Sequence, residues 1–358
     1  MHHVELLGDL CDMLVPAGCG VYTVNTAKEH KTALQQKLYG SDINIKDAWL
    51  ESLKKINTTD LLLLGVCSDA GGGIQRGANW GALYLRSYLD NYYERLLDLG
   101  DIKVIPHFLH DKYLTPDIIT ACQAAIYKNK NLPVSPLSIA ESVCQIIYTK
   151  FVGKKILAVG GDHSVSYPLV KSYLTNAATN KKPAVIHFDA HTDLLDTRLG
   201  VDLCFATWAK RIIDYLPDPS HLVQIGLRSS AYTKKYWVDK LGITQHWATE
   251  IRQKSAAIIA EDIINMLVKK GVNELYISFD IDVLDQEFAG ATGTPEADGL
   301  TPLMCVEIID MLAQNFPVAS ADIVEVAPFV NFGINPNIKE TTLNNAAFIA
   351  NKLISCLQ

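Results

Sequence analysis

The chain has 358 residues, of which 49% are hydrophobic and 20% are charged, and its formal net charge is -7. This is the composition of a folded protein with a large core. It has no run of Lys and Arg long enough to bind a nucleic-acid backbone, and its longest aliphatic run, starting at Leu61, is too short to cross a bilayer. Nucleic-acid binders and membrane-spanning proteins are therefore excluded.

The cysteines and the N-terminal segment predict the cellular compartment. The first 20 residues contain acidic side chains and no basic stretch, unlike an export signal. No two cysteines form a CxxC pair, and the chain has eight: Cys11, Cys19, Cys67, Cys122, Cys144, Cys204, Cys305 and Cys356. We therefore expect a cytoplasmic protein with reduced thiols and no disulfide bonds.

Short aliphatic runs alternate along the chain with longer segments in which apolar residues recur every three or four positions. This alternation is typical of a parallel sheet with helices on both faces. The predicted strands are 60–68, 103–109, 154–161, 183–190, 222–228, 274–284 and 321–328. The predicted helices are 81–100, 136–153, 166–180, 255–271, 302–316 and 344–357. We predict one three-layer α/β/α domain over 59–358 with a mainly parallel sheet, and an N-terminal extension, 1–58, packed on it.

Three motifs place acids or histidines where a predicted strand ends: GGDHS at 160–164, DAHTD at 189–193 and SFDIDVLD at 278–285. Ligands bind at the carboxyl ends of parallel strands, so we expect these motifs to meet in one crevice. Four carboxylates and two imidazoles exceed the needs of one ion and suit two, and a set without thiolates favours Mn²⁺, Fe²⁺, Co²⁺ or Ni²⁺ over structural zinc. The candidate ligands are His163, Asp189, His191, Asp193, Asp280 and Asp282.

Each motif alone has a simpler explanation. GDHS could be a strand-to-helix turn in which Asp162 or Ser164 caps the helix. The segment DIDVLD could be a calcium-like loop or a solvated strand end. Three such motifs after three strands favour a metal site.

The order GGDHS, DAHTD, SFDIDVLD resembles the ureohydrolase superfamily, which includes arginase, agmatinase and formimidoylglutamase. The resemblance extends from about Leu61 to the end of the chain and includes the Gly-rich segment 65–86 and DIVEVAP at 322–328. It implies an arginase-like fold, a homo-oligomer (trimer or hexamer) and two metal ions per chain, most often Mn²⁺. It also implies how the ligands divide: His163 and Asp193 on one ion, His191 and Asp282 on the other, with Asp189 and Asp280 bridging both.

Such a site predicts hydrolysis of a C–N bond in a linear amidine or guanidino compound. Two adjacent cations lower the pKa of a water between them, and the hydroxide so formed can attack the amidine carbon. Asp193 is the predicted catalytic residue, because a carboxylate beside that water can move its proton. We predict that Glu325 orients a ligating histidine from outside the cluster, with a purely structural carboxylate as the alternative.

Two departures from the family pattern affect the substrate. Arginases and agmatinases carry a proton-shuttle His after DAHxD, whereas residues 194–210 contain none and Asp202 lies nearest that position. Met304 stands where the guanidinium-binding loop carries Glu, and a thioether cannot pair with a cation.

Other side chains could replace these groups. Glu296 and Asp298 could take over from the missing Glu, and Arg76 could bind a substrate carboxylate. We therefore expect arginine and agmatine to be poor substrates, and formimidoylglutamate or another guanidino compound to be the true one. The alternatives are a metal-binding pseudoenzyme or regulatory member of the same fold, and a single-zinc small-molecule deacetylase.

Overall fold

The computed structural model describes residues 2–21, 25–128, 130–330 and 337–358. These residues form one sheet of nine strands: β1 (Leu14–Val15), β2 (Leu61–Gly65), β3 (Leu97–Ile102), β4 (Lys155–Val159), β5 (Pro183–Phe188), β6 (Leu222–Leu227), β7 (Thr244–Trp247), β8 (Glu274–Asp280) and β9 (Val318–Val324). The strand order is β1-β3-β2-β4-β9-β8-β5-β6-β7. All neighbouring pairs are parallel except β1 with β3. The predicted mainly parallel α/β fold is confirmed.

The helices of the described residues are α1 (His2–Met13), α2 (Lys28–Tyr39), α3 (Ile45–Leu53), α4 (Gly81–Tyr88), α5 (Pro116–Tyr127), α6 (Pro136–Lys150), α7 (Ser166–Asn176), α8 (Trp208–Ile212), α9 (Lys234–Leu241), α10 (Ala248–Ile251), α11 (Ala256–Lys269), α12 (Gln286–Ala289), α13 (Pro302–Asn315) and α14 (Ile338–Leu357). Every residue of β2, β5 and β6 is buried. Successive strand residues point to opposite faces, so both faces of the sheet are covered. None of the described helices combines the length and apolar character needed to cross a bilayer.

The predicted strand at 103–109 is wrong, and so is the C-terminal half of the predicted helix at 81–100. The helix ends at Tyr88, and strand β3 begins at Leu97. Apolar residues recur every three or four positions through residues 81–100 and predicted a helix there, whereas the strand that forms at its end contains two aspartates. Both are buried because the guanidinium of Arg86 pairs with them, at 2.9 Å from Asp98 and 2.5 Å from Asp101. This ion pair joins residues far apart in sequence, so periodicity could not reveal it.

Strand β7 was also missed, because its sequence TQHW is polar. The last strand, β9, begins at Val318, three residues before the predicted start at 321.

The N-terminal extension packs on the domain, as expected. Strand β1 extends the sheet through antiparallel pairing with β3. In α3, the buried Trp49 donates a hydrogen bond from Nε1 to Leu99 O at 2.9 Å. The division at residue 58 stays a prediction, and residues 1 and 22–24 of the extension lie outside the described residues. All eight cysteines are free in the structure.

Candidate metal centre

His163 points its Nδ1 atom into three carboxylates at the carboxyl edge of the sheet. The GDHS motif follows β4, and Asp162 caps the short 3-10 helix that begins at His163 by accepting a hydrogen bond from Ser164 N. The Nδ1 atom lies 3.0 Å from Asp189 Oδ2, 3.3 Å from Asp193 Oδ2 and 2.9 Å from Asp280 Oδ2. The three motifs therefore meet at the carboxyl ends of their strands, as predicted.

A second histidine faces the other side of the same cluster. His191 Nδ1 lies 3.0 Å from Asp282 Oδ2 and 3.4 Å from Asp189 Oδ1. The two oxygens of Asp189 thus face different histidines. The structure brings all six predicted ligands together, with Asp189 between the two halves.

The cluster is buried and has an excess of negative charge. Asp189, Asp193, Asp280 and Asp282 are each at most 6% exposed, and two imidazoles can supply at most two positive charges. Burial raises the pKa of Asp193 and of Asp280 well above the usual range, and neighbouring carboxylates add to this. Buried carboxylates in this number are unstable unless protons or cations compensate their charge.

The histidine His163 is oriented to bind a cation. Its Nδ1 atom is buried and faces carboxylate oxygens: burial alone would lower the pKa of the ring, but Asp189 and Asp280 raise it well above its usual range. Its Nε2 lies 3.1 Å from Ser278 Oγ, and the Ser278 hydroxyl donates to Asp322 Oδ1 at 2.8 Å. Because the single Ser278 hydrogen is used, Ser278 must accept from Nε2–H, so the neutral form of His163, the form that binds a metal ion, carries its lone pair on Nδ1. A buried nitrogen lone pair among carboxylate oxygens is the donor set of a divalent transition ion, so the residues fit such an ion.

Several residues that support the cluster were not predicted. Trp208 of α8 donates from Nε1 to Asp193 Oδ2 at 2.8 Å, and its ring lies 4.6 Å from that of His163. The guanidinium of Arg228, after β6, holds the loop of Asp282 through backbone carbonyls only. These carbonyls belong to Gly226, Asp282, Val283, Leu284, Glu296 and Ala297. Trp208 and Arg228 reach the cluster only because of the order of the strands in the sheet. A local sequence motif does not show this order.

Glu325, which follows β9, supports the cluster through the main chain. Its Oε1 accepts a hydrogen bond from His163 N at 2.8 Å. The residue has a φ of 61°, in the left-handed region, and it is 7% exposed. Burial and the charge of Asp280 raise its pKa well above the usual range. Among the described residues no group donates to Oε2, which lies 3.5 Å from where a Cβ on Gly293 would be. The second carboxylate oxygen is thus available to a ligand.

The substrate-binding predictions divide into one residue beside the cluster and three away from it. Glu296 lies next to His191, with Oε1 3.4 Å from Nε2. Asp202 instead pairs with Lys112 at 2.9 Å and accepts from Tyr113 OH, which lowers its pKa to about 2.

The other two predicted residues are held by surface contacts. Arg76 donates to the backbone oxygen of Asp69 on its own loop, and Asp298 pairs with Arg252 at 2.5 Å. The conformation of each loop decides whether its side chain reaches the cluster, and the sequence does not specify these conformations.

A cavity of about 260 Å³ opens beside His191 and Asp193. Arg198 and Phe205 line it, with the Arg198 guanidinium 5.2 Å from the centre of the Phe205 ring. Phe205 belongs to residues 194–210, the segment in which arginases and agmatinases carry the shuttle histidine. The remaining lining residues are Thr192, Leu195, Ala206, Ser229, Ser230, Ala231 and Trp237. Besides His191, the lining contains one basic side chain, that of Arg198. It contains one carboxylate, that of Asp193.

Comparison with known proteins gives one family. The Arginase family model matches residues 59–357. The chain is 37% identical over 209 residues to "Agmatinase, mitochondrial" of Gallus gallus, covering 57% of this chain and 58% of that protein, so the match spans little more than half of the chicken protein. It is 31% identical over 272 residues to "Guanidino acid hydrolase, mitochondrial" of Homo sapiens, covering 75% of this chain and 72% of that protein.

Solved structures agree on the fold. The chain superimposes on the crystal structure of formimidoylglutamase from Bacillus subtilis subsp. subtilis str. 168 with a TM-score of 0.66 and 24% identity, covering 83% of this chain and 86% of that chain. At this identity the likeness is one of fold alone. The family model covers most of the chain, and the chain belongs to the arginase family.

Proposed function

We propose that this protein is a two-metal hydrolase of C–N bonds in a linear amidine or guanidino compound that carries a carboxylate. The cluster of six candidate ligands around Nδ1 of His163, five of them buried and His191 partly exposed, is the observation that supports the chemistry most strongly. Membership of the arginase family supports the same reaction class.

The six ligands would hold two divalent ions, most often Mn²⁺ in this family, with Fe²⁺, Co²⁺ or Ni²⁺ as alternatives. His163 and Asp193 would bind one ion, His191 and Asp282 the other, and Asp189 and Asp280 would bridge them. The ions, when bound, supply a water of lowered pKa and positive charge for the transition state.

Asp193 is suited to proton transfer. Among the residues that line the cavity it is the one carboxylate, and it also belongs to the cluster. Trp208 fixes Oδ2 by a hydrogen bond of 2.8 Å. Asp193 would accept a proton from the attacking water and deliver it to the leaving nitrogen. Phe205 occupies the cavity wall in a segment without histidine, so this carboxylate has no partner imidazole there.

Two acids could bind the cationic end of the substrate. Glu325 Oε2 receives no hydrogen bond from described residues, and Glu296 lies beside His191. A guanidinium presents a planar set of donors that matches carboxylate oxygens. We assign this role to Glu325 first, because it is the more buried of the two. Glu296 is the second candidate.

Arg198 favours a carboxylate at the other end of the substrate. It lines the cavity as the cationic group beside the cluster, with Ser229 and Ser230 as neutral donors. A guanidino acid or an amidine of an amino dicarboxylic acid would pair with it, whereas the ammonium end of agmatine would be repelled. The similarity to a guanidino acid hydrolase supports this choice.

A substrate screen tests the proposal. The Mn²⁺-loaded protein would be incubated with guanidinobutyrate, formimidoylglutamate, arginine, agmatine and guanidine, and the release of urea, formamide and ammonia measured. We expect turnover of a carboxylated substrate without an ammonium tail. No turnover of any of the five by a protein that binds two ions would favour the pseudoenzyme, and one bound zinc with amide hydrolysis would favour the deacetylase. The cytoplasmic location, expected from the N-terminal sequence and the cysteine pattern, and the trimer or hexamer, implied by the family resemblance, remain proposals.

A further inference from the structure

A row of buried polar side chains crosses the sheet beneath the metal cluster. In the strand register Asp322 pairs with Ser278, Ser278 with His187, His187 with Gln224, and Gln224 with Gln245. All five are at most 3% exposed. Side chains at paired positions lie on the same face, so the row is continuous from β9 to β7. Such a row is unfavourable in a core unless each group has a hydrogen-bond partner.

His187 contacts the carboxylate that lies between the two halves of the cluster. Its Nε2 lies 2.8 Å from Asp189 Oδ2, and its Nδ1 lies 2.9 Å from Gln224 Nε2. By position alone His187 could be a metal ligand, because its nitrogen belongs to a group of possible ligand atoms with His163, Asp189 and Asp193. Which of its two ring nitrogens carries the proton decides between a ligand and a hydrogen-bond donor.

Two neighbouring groups determine the position of this proton, because one can only donate a hydrogen bond and the other can only accept one. Trp247 Nε1–H can only donate, and it lies 3.1 Å from Gln245 Oε1, so the amide nitrogen of Gln245 faces Gln224 Oε1 at 2.8 Å. The carbonyl oxygen of Thr192 can only accept, and it lies 2.7 Å from Gln224 Nε2. Both constraints give Gln224 the same orientation, with its NH₂ group toward Thr192 and His187.

The Nδ1 atom of His187 therefore accepts a hydrogen bond from Gln224, and a neutral ring carries its proton on Nε2. We propose that His187 is a positioning residue rather than a metal ligand: its Nε2–H donates to Asp189 Oδ2 and fixes that carboxylate for the two ions. The role toward the ions rests on the proposed function. The hydrogen bond itself is argued from the geometry of the chain alone.

The first experiment reads the tautomer directly. Long-range ¹H–¹⁵N spectra of histidine-labelled full-length protein would be recorded without metal and with diamagnetic Zn²⁺, and the His187 signals assigned by their loss in His187→Gln. We expect the Nε2–H tautomer in both states. An Nδ1–H tautomer, or loss of the Nε2 proton when Zn²⁺ is added, would overturn the proposal. Because the metal-free spectrum is informative by itself, it separates this proposal from a failure of the protein to bind metal.

The second experiment measures Mn²⁺ affinity by chelator competition. We expect His187→Leu to bind two ions with roughly 10- to 100-fold weaker affinity, the range for removal of a group that orients a ligand. His187→Gln keeps an amide donor and should recover most of the affinity. Loss of one whole ion in either variant would show that His187 is a ligand, and unchanged affinity in His187→Leu would show that the hydrogen bond has no role.

His221→Gln is the matched control. His221 is also buried, and its Nδ1 lies 2.9 Å from Pro183 O at the opposite end of β5 and β6. Its replacement should leave Mn²⁺ affinity unchanged. If His187→Leu does not fold, the wild-type spectra still decide the tautomer.

Discussion

His163 Nδ1 lies 2.9 Å from Asp280 Oδ2, a distance at which a proton or a metal ion can join the two atoms. A nitrogen lone pair and a carboxylate oxygen at this distance repel each other unless a cation lies near both. Nε2–H is hydrogen-bonded to Ser278 in either case, so a proton on Nδ1 balances the carboxylates without metal, and a bound metal ion would take the place of that proton.

Replacement of Asp280 tests the bridging role. Asp280→Ala should weaken the binding of both ions by more than about 100-fold, beyond the range for residues that only orient a ligand, and should abolish activity. The chain should still fold, because the variant has one buried carboxylate fewer. Metal content after dialysis is the measurement, with the exposed Asp239→Ala as control. Two ions bound with unchanged affinity would refute the bridging assignment.

Glu325→Gln tests recognition of the guanidinium. The amide oxygen can still accept from His163 N, so the metal ligands should keep their positions. Loss of a charged partner for a cation is expected to lower kcat/KM by roughly 100-fold, which corresponds to about 2.7 kcal/mol. Steady-state kinetics with the best substrate, together with Mn²⁺ affinity, would show the effect. An unchanged kcat/KM would transfer the role to Glu296.

Arg198 is expected to determine the choice between acidic and basic substrates. Arg198→Gln should raise KM for a carboxylated substrate by roughly three- to tenfold, a modest effect because this guanidinium is exposed and ion pairs near water are weak. It should also improve turnover of agmatine, since a repulsive charge is removed. Arg76→Gln is the control, because Arg76 contacts its own loop. The same loss in both variants would point to a general effect of charge.

Local patterns in the sequence were enough to predict that the six candidate ligands meet at one edge of the sheet. Each lies within a short motif after a strand, and parallel strands place their carboxyl ends together. Ser278, His187 and Gln224 could not be predicted in this way, because their partners are set by strand order, which brings β8, β5 and β6 side by side. Strand β3 was missed for a similar reason: its buried aspartates are compensated by Arg86, which belongs to a helix.

Substrate residues were harder to predict than ligands, since they lie on loops. Arg76 and Arg198 are equally plausible carboxylate partners by residue type. The structure places Arg198 on the cavity and Arg76 against Asp69.

A histidine outside the site should make stability depend on pH. Burial, with the charge of Lys234, lowers the pKa of His246 to about 4. In the unfolded chain the pKa is about 6.5, so the unfolded state binds more protons between these values and the free energy of unfolding falls as pH falls from about 6.5 to 4.

At pH 5 the expected loss in the free energy of unfolding is roughly 2 kcal/mol. Urea unfolding of the metal-free protein and of His246→Gln at pH 5 and pH 8 would measure it. The wild type should lose more stability than the variant at pH 5. Parallel losses in the two proteins would show that His246 is readily protonated in the fold.

The location of Mn²⁺ in crystals, found by anomalous scattering, tests the central claim most directly. The account predicts two peaks per chain, one bounded by His163 and Asp193 and the other by His191 and Asp282, with Asp189 and Asp280 between them. A single peak, no peak after soaking, or a peak coordinated by His187 Nε2 would contradict it.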